Sequence, residues 1–375
     1  MCYNILYEGI WRKEVLMKKE SIKVLALTVA MCLAITTVMT GCSKKKEPEE
    51  KVMYTNPLTG IQTEEPVETP RPLQVSIDNV GDAIPQSWLS KADIIYEVPV
   101  EGSQTRLQAI FYTQFPESFG PIRSTRPYFV DIAREYKAVF LAHGWSPEAK
   151  SYLMSNVIPY INAMNSGLPF YRVSDKTAPH NSYINWEDVK GEIESRGWWD
   201  EKLEIKPFQF REAKVEDEDE DAKDKDSKDK DSKDKDSKDE ESQEENVVKA
   251  SSITIRYGNS GCEYTYDEET NLYTRTRYGN KYIDKETGES ITTSNILVQR
   301  VTSKVTDAKG RLQINMCEGG NATLYTAGEV IEGTWSRADL DSRTVFVDNE
   351  GNEFQLTPGT TWIQLCDQNC KVTAQ

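Results

Sequence analysis

Between residues 56 and 212, apolar residues form short runs separated by stretches with a helical repeat. Alternating or continuous apolar runs predict β-strands, here at Leu73–Ile77, Ile94–Val98, Gln108–Phe111 and Ala138–Ala142. Helices are predicted at Asp131–Tyr136, Pro147–Ser155 and Glu187–Arg196. Ser146 favours the start of the second helix, because a serine side chain caps free backbone N–H groups. Strands that alternate with helices indicate an α/β or α+β fold with a mixed sheet and flanking helices.

Residues 249–373 lack a helical repeat and consist of strand-like runs separated by turns. The runs are Ile253–Tyr257, Leu272–Thr276, Ile296–Val301, Leu312–Asn315, Ala322–Tyr325, Thr344–Val347 and Thr361–Leu365. Turns such as Tyr278-Gly279-Asn280 fall between them, and glycine and asparagine favour tight turns. This half is predicted to be a smaller, antiparallel β domain.

A strongly acidic segment, residues 213–248, separates the two halves. Seventeen acidic and eight basic residues lie between Lys214 and Glu245, so this stretch contributes −9 of the formal net charge of −16. The sequence Asp-Lys-Asp-Ser-Lys occurs three times in succession from Asp224 to Lys238. A segment with almost no apolar residues cannot bury enough surface to offset the entropy of ordering. We therefore expect a disordered acidic linker between a domain at 56–212 and a domain at 249–373.

The N-terminal region has the pattern of an export signal. A basic stretch at 17–23 precedes an apolar run at 24–38, and Met39-Thr40-Gly41 leads to Cys42. This order is typical of a secretory signal, and a cysteine at the cleavage point resembles the lipobox of bacterial lipoproteins. We predict a signal peptide at 17–41, lipidation of Cys42 with acyl chains such as palmitate, and a flexible tether at 42–55. An uncleaved membrane anchor is the alternative, and either way the body lies on the extracytoplasmic face of the cell membrane.

Residues 1–16 are interpreted as an upstream leader. The stretch Trp11-Arg12-Lys13-Glu14-Val15 can be encoded by a purine-rich sequence of the kind that binds ribosomes, just before Met17. On this interpretation, translation begins at Met17.

Four cysteines remain beyond the signal and Cys42, namely Cys262, Cys317, Cys366 and Cys370. An even number in an exported protein favours disulfides. Cys366 and Cys370 can pair across a turn, which leaves Cys262 with Cys317. Free buried thiols and a four-cysteine zinc site are the alternatives, although the long spacings are unlike those of a zinc ribbon.

Composition narrows the range of functions. The chain has 45 basic and 61 acidic residues, which argues against nucleic-acid binding, since that requires a surplus of Lys and Arg near phosphates. Only two histidines occur, so a histidine-rich zinc site is nearly excluded. The chain also lacks the nucleophile elbow, the phosphate-binding glycine loop and the dinucleotide-binding fingerprint. We expect no cofactor and no bound metal.

Polar residues gather at the predicted strand ends of the first half and form a candidate ligand-binding or catalytic site. Open α/β sheets bind ligands at the carboxyl ends of parallel strands, beside helix N-termini that favour anions. The candidates are Asp78, Glu97, Glu101, Arg106, Arg123, Arg126, His143, Ser146, His180 and Asn181.

Each candidate has a chemical role and a structural alternative. Arg123 and Arg126 can bind a carboxylate or phosphate through paired hydrogen bonds, or they can form ion pairs with neighbouring acidic residues. His143 and His180 can act as acid and base, or they can be ordinary loop histidines. Ser146 is a conceivable nucleophile, but a helix cap is the more frequent role of serine before proline.

Several motifs resemble the YerB-like lipoprotein family. They are Asn56-Pro57-Leu58-Thr59-Gly60, Arg71-Pro72-Leu73, Ile77-Asp78-Asn79, Ala92 to Glu97, Glu101-Gly102 with Thr105-Arg106, Gly120-Pro121-Ile122-Arg123-Ser124, Pro179-His180-Asn181, Thr334-Trp335-Ser336 and Pro358 to Trp362. The resemblance covers nearly all of residues 56–372, with the acidic segment between the family's two parts. It implies a mixed α/β body and a lipid-anchored location outside the bacterial membrane. It implies little about activity, because the family has no agreed catalytic residues.

Two functions remain as hypotheses. The favoured one is a binding or scaffold module at the cell envelope, with the membrane as anchor and a wall polymer, peptide or envelope protein as partner. The alternative is an envelope hydrolase or transferase that acts on an anionic cell-wall substrate. That enzyme would use His143 and His180 for proton transfer and Arg123 and Arg126 for binding.

Overall fold

The computed structural model describes residues 53–66, 71–199, 203–212 and 248–375. The predicted leader, the signal peptide, Cys42 and almost all of the acidic segment lie outside the described residues. Within the described ranges, the helices are α1 (Pro127–Glu135), α2 (Pro147–Met154) and α3 (Trp186–Ser195). All three helices lie in the first half, as the sequence predicts.

Twenty-five strands fall within the described ranges. Those of the first half are β1 (Tyr54–Thr55), β2 (Gln62–Thr63), β3 (Leu73–Asp78), β4 (Ile94–Val100), β5 (Gln104–Phe111), β6 (Ser118–Phe119), β7 (Val139–Ala142), β8 (Tyr160–Asn162), β9 (Tyr171–Arg172), β10 (Ser182–Asn185) and β11 (Gln209–Phe210). Those of the second half are β12 (Ser252–Tyr257), β13 (Ser260–Asp267), β14 (Leu272–Arg277), β15 (Asn280–Lys281), β16 (Thr292–Thr293), β17 (Asn295–Arg300), β18 (Ser303–Val305), β19 (Leu312–Ile314), β20 (Gly320–Thr326), β21 (Glu329–Ser336), β22 (Val345–Asp348), β23 (Gln355–Leu356), β24 (Thr361–Cys366) and β25 (Cys370–Ala374).

A ten-stranded mixed sheet contains strands from both halves of the chain. Its order is β22-β21-β20-β17-β24-β4-β5-β3-β7-β8. Strand β24 runs parallel to both of its neighbours, β17 and β4. Strands β3, β7 and β8 are also parallel to one another, so their carboxyl ends lie at one edge of the sheet.

The ten-stranded sheet carries a hydrophobic core on each face. Alternate residues of one strand belong to opposite cores, as the two-residue period of a strand requires. Phe140 packs in the core that contains Phe129 of α1 and Leu153 of α2. Leu141, the next residue of β7, packs in the core that contains Ile193 of α3. The helices therefore cover both faces of the sheet, which confirms the predicted mixed sheet with flanking helices.

A second, antiparallel sheet is built from the second half of the chain. Its order is β15-β14-β13-β12-β25, with β16 paired to β14. In β12, Ile253, Ile255 and Tyr257 are buried, whereas Thr254 and Arg256 are more exposed. This alternation is typical of a sheet with one buried face and confirms the predicted antiparallel β-structure.

Fourteen of the twenty-five strands in the described ranges were not predicted from the sequence, and some boundaries differ. Eleven of these fourteen strands are only two to four residues long. Strands β13, β21 and β25 were not predicted, because they contain several charged or small residues and show weak apolar alternation. Thr105 and Arg106 lie inside β5 rather than before it. Tyr54 and Thr55, at the end of the predicted tether, pair with β2.

The cysteines form one of the two predicted disulfides. Cys366 and Cys370 are bonded to each other. Cys262 and Cys317 are free, so the expected second disulfide was wrong. Cys262 lies in the buried face of β13, with its Sγ 3.7 Å from Oε2 of Glu97, whereas Cys317 lies in a turn after β19 where its backbone N–H bonds to Asn315. The two thiols belong to different environments and do not meet.

None of the described helices is long and apolar enough to cross a membrane.

Candidate functional site

The candidate site lies where parallel strands β3 and β7 end. Leu73 of β3 pairs with Val139 of β7, so Asp78 and His143 follow at the same edge of the sheet. The segment that carries Arg123 runs between them: the backbone N–H of Arg123 donates to Ser76 at 2.8 Å, and that of His143 donates to the carbonyl of Arg123 at 3.1 Å. Backbone hydrogen bonds thus hold three candidate side chains beside one another.

Asp78 connects a histidine and an arginine. Its Oδ2 lies 2.7 Å from Nδ1 of His180 and 3.0 Å from Nε of Arg123. The Asp78 side chain is 1% exposed, whereas that of Arg123 is 24% exposed. The carboxylate is therefore a buried anchor, and the arginine extends from it towards solvent.

His143 pairs with a serine rather than with an acidic residue. Its Nδ1 lies 2.5 Å from Oγ of Ser182, and its ring meets that of Phe170 edge to face, 5.6 Å apart between centroids. Burial lowers the pKa of His143, and the positive charges of Arg172 and Arg123 lower it further. The imidazole is therefore mainly neutral at pH 7, and both arginines act on it electrostatically.

Arg126 is bound to Glu101. Its Nε and Nη2 donate to the two carboxylate oxygens at 2.7 and 2.8 Å, a paired geometry that is among the stronger ion-pair contacts. Burial alone would raise the pKa of Glu101, but the hydrogen bonds and charge of Arg126 more than offset it and leave the pKa lowered. In the structure Arg126 thus forms an ion pair, which is the alternative role that the sequence analysis left open.

Arg106 is a buried cation beside other cations. Its Nη1 donates to the backbone carbonyl of Ser124 at 2.5 Å. Burial is the main cause that lowers its pKa to about 10, followed by the charges of Arg126 and Arg123. Glu101 and Asp78 offset this only in part. The hydrogen-bond acceptor of this guanidinium is therefore a neutral carbonyl.

The groups described above carry an excess of positive charge. They include four guanidinium groups, those of Arg106, Arg123, Arg126 and Arg172, and two carboxylates, those of Asp78 and Glu101. We call these six residues with His143 and His180 the cationic cluster. An anion that entered the cluster would reduce the repulsion among its arginines.

Three predicted site residues have other roles. Ser146 caps α2, where its Oγ accepts a hydrogen bond from the N–H of Ala149 at 3.2 Å. Glu97 is fully buried against Arg275, 2.7 Å away, in a separate polar network. Asn181 is buried and accepts a hydrogen bond from Nη1 of Arg172 at 2.7 Å, so it positions a member of the cluster.

The sequence analysis missed Arg172 and Ser182. Arg172 lies in the two-residue strand β9, where no motif identifies it. Ser182 is the first residue of β10, and its partner His143 lies 39 residues earlier in the chain, so no local spacing identifies it.

In the residues that the structure describes, no group of three or more His, Cys, Asp or Glu side chains could hold a metal ion. The arginine and histidine side chains of the cluster offer positive charge and hydrogen bonding.

Comparison with known proteins identifies the family. Residues 58–199 match the model described as "Protein of unknown function (DUF3048) N-terminal domain", and residues 253–363 match the corresponding C-terminal domain. The chain belongs to the DUF3048 family. The two matches flank the acidic segment, and the first one contains every member of the cationic cluster.

A curated relative and a solved structure support this assignment over most of the chain. The DUF3048 chain is 33% identical over 341 residues to "Putative lipoprotein YerB" from Bacillus subtilis strain 168, which covers 90% of this chain and 93% of that protein. It is also similar to the crystal structure of the YerB protein from Bacillus subtilis, with 32% identity and a TM-score of 0.71. That comparison covers 85% of this chain and 99% of the other.

Proposed function

We propose that this DUF3048 protein is a lipid-anchored lipoprotein of the bacterial cell envelope that binds an anionic group through the cationic cluster. The anchor is supported by the signal-like N-terminus with Cys42 and by the name of the related YerB protein. The body would lie outside the membrane, where anionic wall polymers and envelope proteins are accessible. The binding role is argued from the side chains of the cluster.

The observation that carries the binding role is the state of Arg106. A buried cation normally has a carboxylate partner, because removing a charge from water is costly. Arg106 instead bonds to a backbone carbonyl. Burial, followed by the charges of Arg126 and Arg123, lowers its pKa, and nearby carboxylates offset this only in part. A phosphate or carboxylate group at the exposed side of Arg123 would offset this repulsion and accept charge-assisted hydrogen bonds.

Binding agrees with the geometry better than catalysis does. The hydroxyl that faces His143 belongs to Ser182, which is only 2% exposed, so a substrate would not reach it. The other candidate nucleophile, Ser146, caps a helix. Nδ1 of His180 is bound to Asp78, which holds this ring in place. Hydrolase or transferase activity is therefore the alternative function, and the experiment below is designed to detect it.

The test is calorimetric titration of the purified protein with sulfate, acetate and a glycerol phosphate polymer. We expect Arg123→Gln to weaken binding about tenfold or more, since a charge-assisted hydrogen bond contributes about 1.5–3 kcal/mol. Arg106→Met should weaken binding similarly while leaving the free energy of unfolding unchanged or higher, because it removes a repelled cation. Arg256→Gln is the matched control, since Arg256 is an exposed arginine paired with Glu263.

The proposal fails if none of these anions binds the parent protein at millimolar concentration. It also fails if Arg123→Gln and Arg256→Gln bind with equal affinity. Chromatography of the glycerol phosphate polymer after incubation with the protein tests the enzymatic alternative. If the parent protein cleaves the polymer and a His143 variant does not, the function is enzymatic rather than binding.

A further inference from the structure

Strand β9 forms the open edge of a small sheet beside the cationic cluster. This sheet has the order β6-β10-β9. Arg172 and Tyr171 of β9 pair with Ser182 and Tyr183 of β10, respectively. Both residues of β9 are exposed, and no strand of the described ranges pairs with its outer side. An exposed strand edge offers unpaired backbone groups to another extended chain.

The backbone hydrogen bonds of β10 show which groups of β9 point outwards. The N–H of Val173 donates to the carbonyl of Asn181 at 3.1 Å. The carbonyl of Ser182 accepts from the N–H of Ile122, which follows β6, at 2.7 Å. Hydrogen-bonded and non-hydrogen-bonded pairs alternate along an antiparallel ladder. Ser182 and Arg172 are therefore a non-hydrogen-bonded pair, and the N–H and carbonyl of Arg172 point away from β10.

The side chain of Arg172 has no acidic partner among the described residues. Its Nη1 donates to the amide oxygen of Asn181 at 2.7 Å, which is a neutral acceptor. The guanidinium lies on the face of β9 that is directed to the cationic cluster, where its charge lowers the pKa of His143. This charge therefore remains available to a ligand that lies along β9.

Lys176 is a second cation of the same segment without an acidic partner. Its Nζ forms no hydrogen bond or ion pair with the described residues, and the carboxylate of Asp175 lies 2.7 Å from Nζ of Lys285 instead. Burial and the charge of Lys285 lower the pKa of Lys176. Asp175 and Asp78 offset this only in part. Lys176 therefore extends the positive charge of the cluster along the segment that follows β9.

The opposite face of β9 carries an aromatic ring. Tyr171 precedes Arg172, so the two side chains point to opposite faces of the strand. Tyr171 is 37% exposed, and its ring centroid lies 6.0 Å from that of Tyr183, its partner on β10. One face of β9 is therefore cationic and the other is aromatic.

We infer that the ligand of the proposed site is an extended acidic peptide that pairs with the outer edge of β9, an inference that rests on the function proposed above. The peptide residue opposite Arg172 accepts its N–H and donates to its carbonyl, as in an antiparallel hydrogen-bonded pair. The side chain of that residue lies on the same face as the side chain of Arg172. A glutamate or aspartate there binds the guanidinium, and its neighbours in the peptide contact Tyr171.

A peptide fits these groups better than a phosphate polymer does. The outward N–H of Arg172 needs an acceptor and its carbonyl needs a donor, and one residue of an added strand supplies both. Phosphate groups supply acceptors alone, so they bind the cations and leave the carbonyl to water. The two classes of ligand therefore differ in whether they engage the backbone of β9.

The experiment is calorimetric titration with a short peptide, acetylated and amidated at its ends, that has a central glutamate between β-branched residues. We expect this peptide to bind the parent protein. A central glutamine removes the charge, whereas N-methylation of the central glutamate keeps the charge and removes the N–H that donates to Arg172. Each change should weaken binding about fivefold or more, since each removes a hydrogen bond or an ionic contact.

Variants of the protein test the same contacts from the other side. Arg172→Gln should weaken binding of the glutamate peptide about tenfold or more and should affect the glutamine peptide far less. Lys371→Gln is the matched control, because Lys371 is an exposed cation on β25, the edge strand of the second sheet. Amide hydrogen exchange gives a second readout: the peptide should slow exchange at the N–H of Arg172, and sulfate should not.

The inference is overturned if the glutamate peptide does not bind at millimolar concentration or if N-methylation leaves its affinity unchanged. It is also overturned if Arg172→Gln and Lys371→Gln bind the peptide alike. Sulfate and the glycerol phosphate polymer test the proposed function separately, through Arg123→Gln. If these anions bind and the peptide does not, the proposed function stands and this inference fails.

Discussion

Oε2 of Glu97 lies 2.7 Å from Nη2 of Arg275, and both side chains are 0% exposed. Glu97 belongs to β4 and Arg275 to β14, so a buried ion pair joins the first half of the chain to the second. The guanidinium carbon of Arg275 also lies 4.2 Å from the ring centroid of Trp362 and 4.8 Å from that of Tyr282. Glu97, a candidate site residue in the sequence analysis, is thus part of the internal structure.

Removing one partner of this pair should destabilise the protein strongly. We expect Glu97→Gln to lower the free energy of unfolding by about 3–5 kcal/mol, because it leaves the Arg275 charge buried without its partner. Urea denaturation followed by tryptophan fluorescence measures this change. Glu263→Gln, which breaks the exposed pair with Arg256, is the control and should cost under about 1 kcal/mol. Equal effects of the two substitutions would contradict the role assigned to burial.

The same pair should make stability depend on pH. Burial by itself would raise the pKa of Glu97, but the charges of Arg275 and Arg277 more than offset it, and the pKa lies below its ordinary value of 4.5. A carboxyl whose pKa is lowered by folding stabilises the protein above its unfolded pKa, and this contribution is lost as pH falls. The difference in unfolding free energy between the parent and Glu97→Gln should therefore shrink below about pH 4.5. A constant difference from pH 7 to pH 3 would contradict this.

Anion binding at the cationic cluster should raise the pKa of His143. In the free protein, burial and then Arg172 and Arg123 hold this pKa below 6.5. A bound anion favours the protonated ring, so linkage requires that binding strengthen as pH falls through the pKa of His143. Sulfate is a suitable probe because its own charge is constant over this range. Titration of the imidazole by NMR, with and without sulfate, measures the shift, and His143→Asn should remove the pH dependence of affinity.

The lipid anchor is testable at one residue. We expect Cys42→Ala to abolish labelling by a radioactive fatty acid and to release the protein from the membrane fraction or leave its signal uncleaved. Two acyl chains on one cysteine are sufficient for stable anchoring, whereas a single chain is marginal. Unchanged labelling of the variant would show that Cys42 is not the modified residue.

The acidic segment should be dispensable for folding. Deleting residues 216–244 removes almost no apolar side chains, and the entropy of loop closure changes by only about 0.6 kcal/mol for each doubling of loop length. The melting temperature should therefore remain within a few degrees of that of the parent. A decrease in stability as large as that expected for Glu97→Gln would mean that the acidic segment packs on the body of the protein.

Local sequence patterns predicted an element well where the apolar residues of that element recur with the period of a single strand or helix. The alternation in Leu73–Ile77 marks one face of β3, whose apolar side chains share a single core, although the polar residues between them are buried as well. Ser146 marks the start of α2, as its capping contact shows. Pairings between strands that are distant in sequence have no such local signal. The run at Thr361–Leu365 predicts a buried strand, but its place between β17 and β4 depends on pairings with two remote segments.

The candidate site was predictable only in part for the same reason. The shared strand edge brings Asp78 and His143 together, and it follows from the βαβ-like alternation in the sequence. Arg172 lies in a short exposed strand without a motif. Charge alone could not identify this residue, because most basic residues of a chain lie on its solvated surface.

The position of β24 also determines when, during synthesis of the chain, the mixed sheet can be completed. This strand is the last but one in the chain, yet it lies fifth among the ten strands of the mixed sheet. The ribosome must therefore complete almost the entire polypeptide before β17 and β4 acquire their shared neighbour. Until then each presents an open strand edge, which is a site for non-native association. A chain that stops before Thr361 would keep those edges permanently, so quality-control proteases should remove such truncated products.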